Sequence, residues 1–317
     1  MATAREQSVR DYRPRVERAL ALIARRLDDP PSVAEVAKVA HLSEHHFHRI
    51  FSAIVGEPIG RYVTRKRLEV AALRLAYEPR RSVTDIALSV GYSSVSNFSK
   101  AFSAHFGCAP SRARRAGAPA PIAALTRAHA RGFDPEALYS LPPQTPEAEA
   151  RRRYRALAEN IRYAECPGID VACLASPMGY DLPALMATWE ELIDRARQLG
   201  IAEGEVDAYG MAHDSPRLVA QELCRYHACV PCPIDVPLPP PLFRGRIPAG
   251  RYAIYRYRGP VSGVEDAYRD LYSIWLPRSS LVPGDYVAIE HYDHDEPRDG
   301  HTDHEIWIAV QPDREPA

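Results

Sequence analysis

The sequence of 317 residues lacks several features that mark exported and membrane proteins. No apolar run approaches the roughly 20 residues that a helix needs to cross a bilayer, so no membrane partner is expected. The first 15 residues are polar and predict no secretory signal. The 6 cysteines are too few and too scattered for a disulfide scaffold, and a reduced, cytoplasmic protein is expected.

Signatures of catalysis are also missing. There is no Gly-x-Ser-x-Gly elbow and no glycine-rich phosphate-binding loop. Cys224, Cys229 and Cys232 lie near His227, but we interpret this stretch as a strand whose neighbours point to opposite faces. The polar run from His291 to Glu305 has no fixed ligand spacing and reads as a loop between strands. No metal or other cofactor is therefore expected.

The net charge of −1 hides an uneven distribution along the chain. Residues 1–115 hold 20 Lys and Arg against 11 Asp and Glu, whereas residues 116–317 hold 20 against 30. Such asymmetry is typical of a nucleic-acid-binding segment joined to a segment with another role. The length likewise favours about two domains.

Helical periodicity, proline content and strand alternation divide the chain into three segments. Residues 1–116 read as helices throughout. Residues 117–160 are rich in proline, which interrupts helices and sheets, and predict a linker. Residues 161–317 combine predicted strands with two helices, near 184–199 and 263–276. The predicted strands cover 169–176, 205–212, 222–230, 250–258, 285–292 and 304–310.

The strand and helix pattern of the third segment occurs twice, about 80 residues apart. A strand that starts near Asp170 leads to a helix carrying Trp189, and a strand that starts near Arg251 leads to a helix carrying Tyr268. This order predicts an α+β domain of duplicated β-α-β-β modules. Two such modules side by side can enclose a cleft.

The basic segment contains two copies of a helix-turn-helix pattern. In the second copy the small residue Ala87 lies inside the first helix, and Gly91 is placed to form the tight turn. In the first copy His41 replaces that glycine, so the turn must form without it. A long helix predicted over 58–77 joins the two copies. The capping boxes begun by Ser32 and Ser82 start the first helix of each copy.

The outward faces of the second helices carry side chains that can read DNA. Arg can bind guanine, Asn can bind adenine, and Val can contact the thymine methyl group. A solvated helix face carries similar residues, but two copies in one basic segment favour DNA binding. The candidates are His45, His48 and Arg49 in the first unit, Val95, Ser96, Asn97 and Lys100 in the second, and Arg112 beyond it.

Residues 32–115 resemble the DNA-binding domain of AraC/XylS-type transcription regulators. The stretch from Ile86 to Arg112 carries the resemblance, with Cys108 and Ala109 in place of the usual polar residue and Thr. The resemblance implies two units that insert helices into successive major grooves on one face of double-stranded DNA. It assigns base and phosphate contacts to His45, His48, Arg49, Ser96, Asn97 and Lys100.

The acidic segment places carboxylates among aromatic residues on predicted strands. Period-two alternation puts Tyr286, Glu290 and Tyr292 on one face of a strand. It likewise puts Glu305 and Trp307 on one face of another. A carboxylate among aromatic rings can bind an organic cation, although an acid on a solvated strand gives the same pattern. The candidate ligand-binding residues are Glu290, Tyr292, Glu305, Trp307, Tyr255 and Trp189.

Residues 165–312 resemble the GyrI-like effector-binding domain. The resemblance implies a duplicated module with a central cleft, in which Glu290 is the ligand-facing acid. Glu305 and Trp307 match the acid and the aromatic residue of the last strand, whereas His227 stands where the family usually has Asp. The stretches that carry the resemblance are Cys224–Val230, Ile247–Tyr255, Ala288–Tyr292 and His304–Val310.

Together these patterns predict a transcription regulator, not an enzyme, controlled by a cationic or aromatic small-molecule effector. One alternative is a GyrI-like hydrolase or drug-sequestering domain fused to a DNA-binding module, in which Glu290 and Tyr292 would act. Another is an architectural DNA binder. No heptad pattern predicts a dimerisation helix, and two helix-turn-helix units allow a monomer to bind DNA.

Overall fold

The structure of the chain is a computed structural model. It describes residues 4–78, 80–115, 146–204, 206–214, 219, 224–284, 287–293 and 300–312. The helices in these ranges are α1 (Ala4–Arg25), α2 (Val33–Val39), α3 (Glu44–Val55), α4 (Ile59–Tyr77), α5 (Val83–Ser89), α6 (Val95–Phe106), α7 (Pro110–Arg115), α8 (Glu147–Glu159), α9 (Leu182–Gln198) and α10 (Val264–Asp270). None of these described helices is both long and apolar enough to cross a bilayer.

The strands follow the first eight helices and alternate with the last two. They are β1 (Ile161–Cys166), β2 (Ile169–Ala175), β3 (Ala208–Ala212), β4 (Tyr226–Pro231), β5 (Phe243–Ile247), β6 (Gly250–Pro260), β7 (Leu281–Pro283), β8 (Ala288–Tyr292) and β9 (His301–Pro312). Most of the predicted linker lies outside the described residues. Helix α8 occupies its described end.

Both helix-turn-helix units form where the sequence predicts them. Ser32 accepts a hydrogen bond from the backbone N–H of Glu35, whose carboxylate accepts one from the backbone N–H of Ser32 in return. Ser82 and Asp85 form the same reciprocal capping box at the start of α5. These bonds satisfy N–H groups that the first helical turn leaves without partners.

The turn of each unit requires a left-handed backbone residue. Gly91 provides it in the second unit with φ +81°, and a side chain there would collide with Arg67 and with the carbonyl oxygen of Asp28. In the first unit His41 adopts φ +53°. A residue with a Cβ pays a steric penalty in this region, so the first turn forms at a conformational cost that the second avoids.

Helix α4 joins the two units by contributing to both of their cores. Its first turns place Ile59 and Tyr62 with Phe47 and Phe51 of α3. Its later turns place Leu68 and other apolar residues against the buried stripe of α6, which comprises Phe98, Phe102 and Phe106. The units are therefore held in a fixed relation along one helix.

The second half of the chain forms one antiparallel sheet. Its strand order is β1-β6-β9-β8-β3-β4-β2-β5, and β7 pairs with the far end of β9. Helix α9 packs on β2 and β4, while α10 packs against β6 and continues through Leu271–Trp275 as a π-helical turn. Both helices lie on one face, and the other face encloses a core that includes Met211, Cys229 and Ile289.

All six predicted strands have a counterpart among the described residues. Residues 205, 222–223 and 285–286 of the predicted strands lie outside the described residues. Strands β1, β5 and β7 were not predicted, because they are short and lack a regular alternation of apolar and polar residues. The helical first half followed by a sheet-containing second half confirms the predicted fold class at that level.

We predict opposite effects of substitutions at the two turn residues. Gly91→Ala is expected to lower the free energy of unfolding by more than about 1 kcal/mol, because Ala would be strained at positive φ and would also collide with its neighbours. His41→Gly is expected to raise it by up to about 1 kcal/mol by relieving strain. Urea denaturation of the full chain measures both. Equal losses of stability for the two variants would contradict this account.

Candidate nucleic-acid interface and ligand site

Helices α3 and α6 present most of the predicted DNA-reading side chains to solvent. Each helix begins at a serine cap, Ser43 or Ser94, and ends at a left-handed glycine, Gly56 or Gly107. Because one face of each helix is buried, the opposite face is free to enter a groove. Among the candidates Val95 alone is half-buried, while the others are exposed: His45, His48, Arg49, Ser96, Asn97, Lys100 and Arg112.

The carboxylate of Glu290 accepts hydrogen bonds from three tyrosine hydroxyls on the helix-bearing face of the sheet. The hydroxyls of Tyr226 and Tyr292 donate to Glu290 Oε2 at 3.1 and 2.9 Å. The hydroxyl of Tyr268 donates to Oε1 at 3.1 Å. These residues come from β4, β8 and α10, so the site forms only when the sheet and its helix are assembled.

Aromatic rings surround this carboxylate. The ring of Trp189 on α9 meets those of Tyr292 and Tyr226 edge to face, with centroids 5.5 and 6.4 Å apart. Helices α9 and α10 thus contribute one aromatic residue each. We call the site formed by Glu290, Tyr226, Tyr268, Tyr292 and Trp189 the Glu290 cleft.

A glycine makes room for this arrangement. Gly210 of β3 lies directly opposite Glu290 in the sheet. A Cβ at this position would collide with the Tyr226 hydroxyl and approach Glu290 Oε2 to 2.9 Å. Since the backbone of Gly210 is not left-handed, the glycine is required here by close packing.

The Glu290 cleft carries a negative charge. The carboxylate is half-buried, and none of the described Lys or Arg side chains forms an ion pair with it. Burial, reinforced by the charge of Glu290, raises the pKa of Tyr226, Tyr268 and Tyr292 well above the ordinary tyrosine value. The hydroxyls therefore stay protonated near neutral pH and act as hydrogen-bond donors to the carboxylate.

Two members of the cleft, Tyr226 and Tyr268, were not among the predicted ligand-binding residues. They lie 64 and 22 positions from Glu290, so alternation within one strand could not find them. The repeated strand–helix pattern of the sequence could have identified Tyr268. In that repeat the helix carrying Tyr268 is equivalent to the helix carrying Trp189, and both residues lie beside the carboxylate.

The strand register corrects the predicted grouping of Glu305 and Trp307 with Glu290. Glu290 pairs with Ile306 across β8 and β9, so Glu305 and Trp307 point to the opposite face. There the indole N–H of Trp307 donates to Glu305 Oε2 at 2.9 Å. The two residues share a face with each other, as predicted, but not with the cleft.

Glu305 is engaged with structural partners. It accepts hydrogen bonds from Arg162 at 2.8 and 2.9 Å and lies 3.3 Å from His291 Nδ1. Burial alone would raise its pKa, but the bonds from His291, Arg162 and Trp307 outweigh burial and lower the pKa to about 2. Its remaining capacity to hold a ligand is therefore small.

Tyr255 shares the helix-bearing face with Glu290 but lies two strands away. It pairs with Ile306 of β9, which in turn pairs with Glu290. Its ring packs into the cluster between α8, α10 and the sheet, together with Ile161 and Tyr154. The structure therefore does not bring it into the Glu290 cleft.

The cysteines near His227 point into separate surroundings. Cys224 Sγ lies 3.7 Å from the carbonyl oxygen of Val219, and Cys232 Sγ lies 3.5 Å from that of Pro233. Cys229 Sγ faces Cys173 Sγ of β2 at 3.2 Å. Within the described ranges no group of three metal-ligating side chains comes together. Residues 294–299 of the polar run, and Tyr286, lie outside the described residues.

Two helix-turn-helix units on one connecting helix, followed by a sheet domain that holds a carboxylate among aromatic rings, define a class of two-domain DNA-binding regulators. Residues 36–116 match a helix-turn-helix domain family, and residues 160–311 match the GyrI-like small molecule binding domain. The chain belongs to the AraC family of transcription regulators and carries a GyrI-like domain.

Several regulators are similar to the helical domain of the chain. An uncharacterized HTH-type transcriptional regulator of Haemophilus influenzae is 35% identical over 101 residues, which are 32% of this chain and 34% of that protein. Regulatory protein SoxS of Escherichia coli (strain K12) is 31% identical over 96 residues, which are 30% of this chain and 89% of SoxS. The chain spans about a third of the length of the first curated relatives it matches.

A solved structure matches the same domain. It is an AraC-type transcriptional regulator from Chromobacterium violaceum, 26% identical, with a TM-score of 0.31. The match covers 32% of this chain and 90% of that one.

We predict that Glu305 stabilises the fold only when it is ionised. Because its pKa is lowered from 4.5 to about 2, its contribution is present above pH 4.5 and is lost as the pH falls towards 2. Glu305→Gln should therefore be less stable than the natural chain at pH 7, with a difference that narrows as the pH falls from 4.5 to 3. Denaturant unfolding at several pH values measures it. A difference that does not change with pH would contradict the assignment.

Proposed function

We propose that the chain is a one-component transcription regulator in the cytoplasm. Its helical domain reads DNA through α3 and α6, and its sheet domain binds an organic cation in the Glu290 cleft. The observation that carries the proposal is the arrangement of Glu290. It is a half-buried carboxylate held by three tyrosine hydroxyls, flanked by an indole, and without a Lys or Arg partner among the described residues.

The DNA-binding assignment is supported by exposure, charge and spacing. The candidate side chains of α3 and α6 lie on the faces opposite the buried phenylalanines. In this proposal Arg49 and Asn97 contact bases, because their side chains can form paired hydrogen bonds with guanine and adenine edges. His45, His48, Val95, Ser96, Lys100 and Arg112 contact neighbouring bases or phosphates.

We predict that Arg49→Ala and Asn97→Ala each weaken binding to a duplex obtained by in vitro selection with the full chain. The expected loss is about tenfold, since a lost paired contact to a base is worth roughly 1–3 kcal/mol. Arg195→Ala, which removes an arginine from α9 of the sheet domain, is the matched control and should leave the affinity unchanged. Fluorescence anisotropy at fixed salt measures all three. Unchanged affinity in both α3 and α6 variants would rule out this interface.

A cation suits the Glu290 cleft better than an anion or a neutral ligand. A half-buried carboxylate whose hydrogen-bond donors are neutral hydroxyls has lost part of its hydration without gaining a Lys or Arg partner, and a bound cation supplies that opposite charge. The flanking rings add attraction through their negative faces, most strongly for Trp189. The cleft would therefore select positive charge next to apolar or aromatic surface.

We predict that Glu290→Gln weakens binding of tetraphenylphosphonium at least tenfold, because the amide keeps the shape of the side chain but removes its charge. Glu305→Gln is the matched control on the opposite face of the sheet and should bind as the natural chain does. Isothermal titration calorimetry measures both. Equal affinity of the natural chain and the Glu290→Gln variant would remove Glu290 from the binding site.

We also propose that the sheet domain binds its ligand without chemical turnover. A general base works best with a pKa near the working pH, whereas the pKa values of the three tyrosines of the cleft are raised well above it. This argues against a tyrosine of the cleft as the general base of a hydrolase and so favours binding without turnover.

The strand order supports the proposal that the sheet domain contains two duplicated modules. Strands β2, β4 and β3 adjoin in the first half, and β6, β9 and β8 adjoin in the second. The two sets meet at the β3–β8 pair, where Gly210 faces Glu290. The cleft would then lie on the boundary between equivalent units, where ligand sites are common.

A further inference from the structure

A buried carboxylate connects the sheet domain to the helical domain. Asp214, which follows β3, accepts hydrogen bonds from Lys66 Nζ of α4 at 2.6 Å and from Arg225 Nε at 2.8 Å. Lys66 also lies 3.0 Å from Glu69 Oε2, and the guanidinium of Arg225 lies over the ring of Tyr62, 5.7 Å from its centroid. Burial would raise the pKa of Asp214, but Arg225 and Lys66 lower it well below its ordinary value.

A second polar contact lies beside the first. His227 Nε2 of β4 is 3.2 Å from Glu17 Oε2 of α1, and His227 Nδ1 is 2.8 Å from His213 Nε2. Glu17 is 5% exposed and His227 is 6% exposed, so both groups are removed from solvent. We call Asp214, Arg225, Lys66, Glu17 and His227 the docking network.

The docking network attaches the first helix-turn-helix unit to the sheet domain. Glu17 lies on α1, which packs against α2 and α3, and Lys66 lies on α4, which joins the two units. Any movement of the network relative to the sheet would therefore be transmitted to the recognition helix α3 and, through α4, to the spacing of both units.

The same short segment also reaches the Glu290 cleft. Tyr226 lies between Arg225 and His227, and in an extended chain its side chain points to the opposite face from theirs. Its hydroxyl donates a hydrogen bond to Glu290 on that face. Tyr180 makes a parallel connection. Its ring meets Tyr226 edge to face at 6.0 Å, and its hydroxyl donates to the backbone oxygen of Asp214 at 2.6 Å.

We propose that the segment Arg225-Tyr226-His227 couples the Glu290 cleft to DNA binding by repositioning the docking network. This inference rests on the proposed function of the cleft. A cation bound at Glu290 competes for the carboxylate that the Tyr226 hydroxyl contacts, so Tyr226 must shift. Its neighbours Arg225 and His227 then shift with it.

The buried position of the network makes a two-state response expected. A buried ion pair is stable only with well-formed geometry, because each charge has given up its hydration. A small displacement therefore favours a second arrangement over a slightly stretched version of the first. Coupling between two sites in proteins typically changes affinity about 5- to 150-fold, and it is reciprocal, so DNA must change cation affinity by the same factor.

The test measures tetraphenylphosphonium affinity of the full chain with and without a saturating DNA duplex obtained by in vitro selection. For the natural chain we expect the two dissociation constants to differ at least fivefold. In Lys66→Met, which keeps Asp214 paired with Arg225, the ratio should fall below twofold. Lys38→Met removes a lysine from the exposed surface of α2 and should keep the natural ratio. Glu17→Gln removes the negative charge from the second contact and should also reduce the ratio. Thermal melts show whether each variant is folded.

The outcomes separate this inference from the function on which it rests. A ratio near one in the natural chain, or a natural ratio in both Lys66→Met and Glu17→Gln, would overturn the coupling. If Glu290→Gln still abolished cation binding in that case, the proposed function would stand. If tetraphenylphosphonium binding were insensitive to Glu290→Gln, the ligand site and the coupling would both fail.

Discussion

The burial of Asp214 is the constraint on which the arrangement of the two domains depends. A carboxylate removed from water must be paired, and its partners come from both sides of the interface, Lys66 from the helical domain and Arg225 from the sheet domain. The chain as a whole separates its charge, with an excess of basic residues in the first 115 positions and of acidic residues after them. The Lys66–Asp214 pair brings these opposite excesses together. In the second contact the order is reversed, because the acid, Glu17, belongs to the helical domain and its partner, His227, belongs to the sheet domain.

Successive side chains of one strand point to opposite faces of the sheet, so a single strand can line both the Glu290 cleft and the contact with the helical domain. Strand β4 presents Tyr226 to the cleft, while its neighbours face the helical domain. On the other side of the sheet, Glu305 is saturated by Arg162, His291 and Trp307 and contributes rigidity. Two acids fifteen positions apart in sequence thus have different roles, because one is surrounded by tyrosine hydroxyls and the other by cationic and indole donors.

The sequence predicted local features well and long-range pairings poorly. Capping residues such as Ser32 and Ser82, the glycine turn at Gly91 and the period of the strands act within a few residues, and each appears in the structure. Alternation correctly placed Glu290 with Tyr292, but it cannot state which face of β9 lies beside which face of β8. That depends on register, which sets Glu290 against Ile306 rather than Glu305. The docking network was not predicted, because Lys66 and Asp214 are separated by 148 positions.

The central claim is that a small molecule in the Glu290 cleft controls transcription through the helical domain. The most direct measurement is a reporter gene placed behind the selected DNA site in cells that produce the chain. Adding tetraphenylphosphonium should change reporter output several-fold with the natural chain and leave it unchanged with Glu290→Gln. Reporter output that does not respond in cells producing the natural chain, although the purified chain binds both the cation and the DNA, would contradict the account.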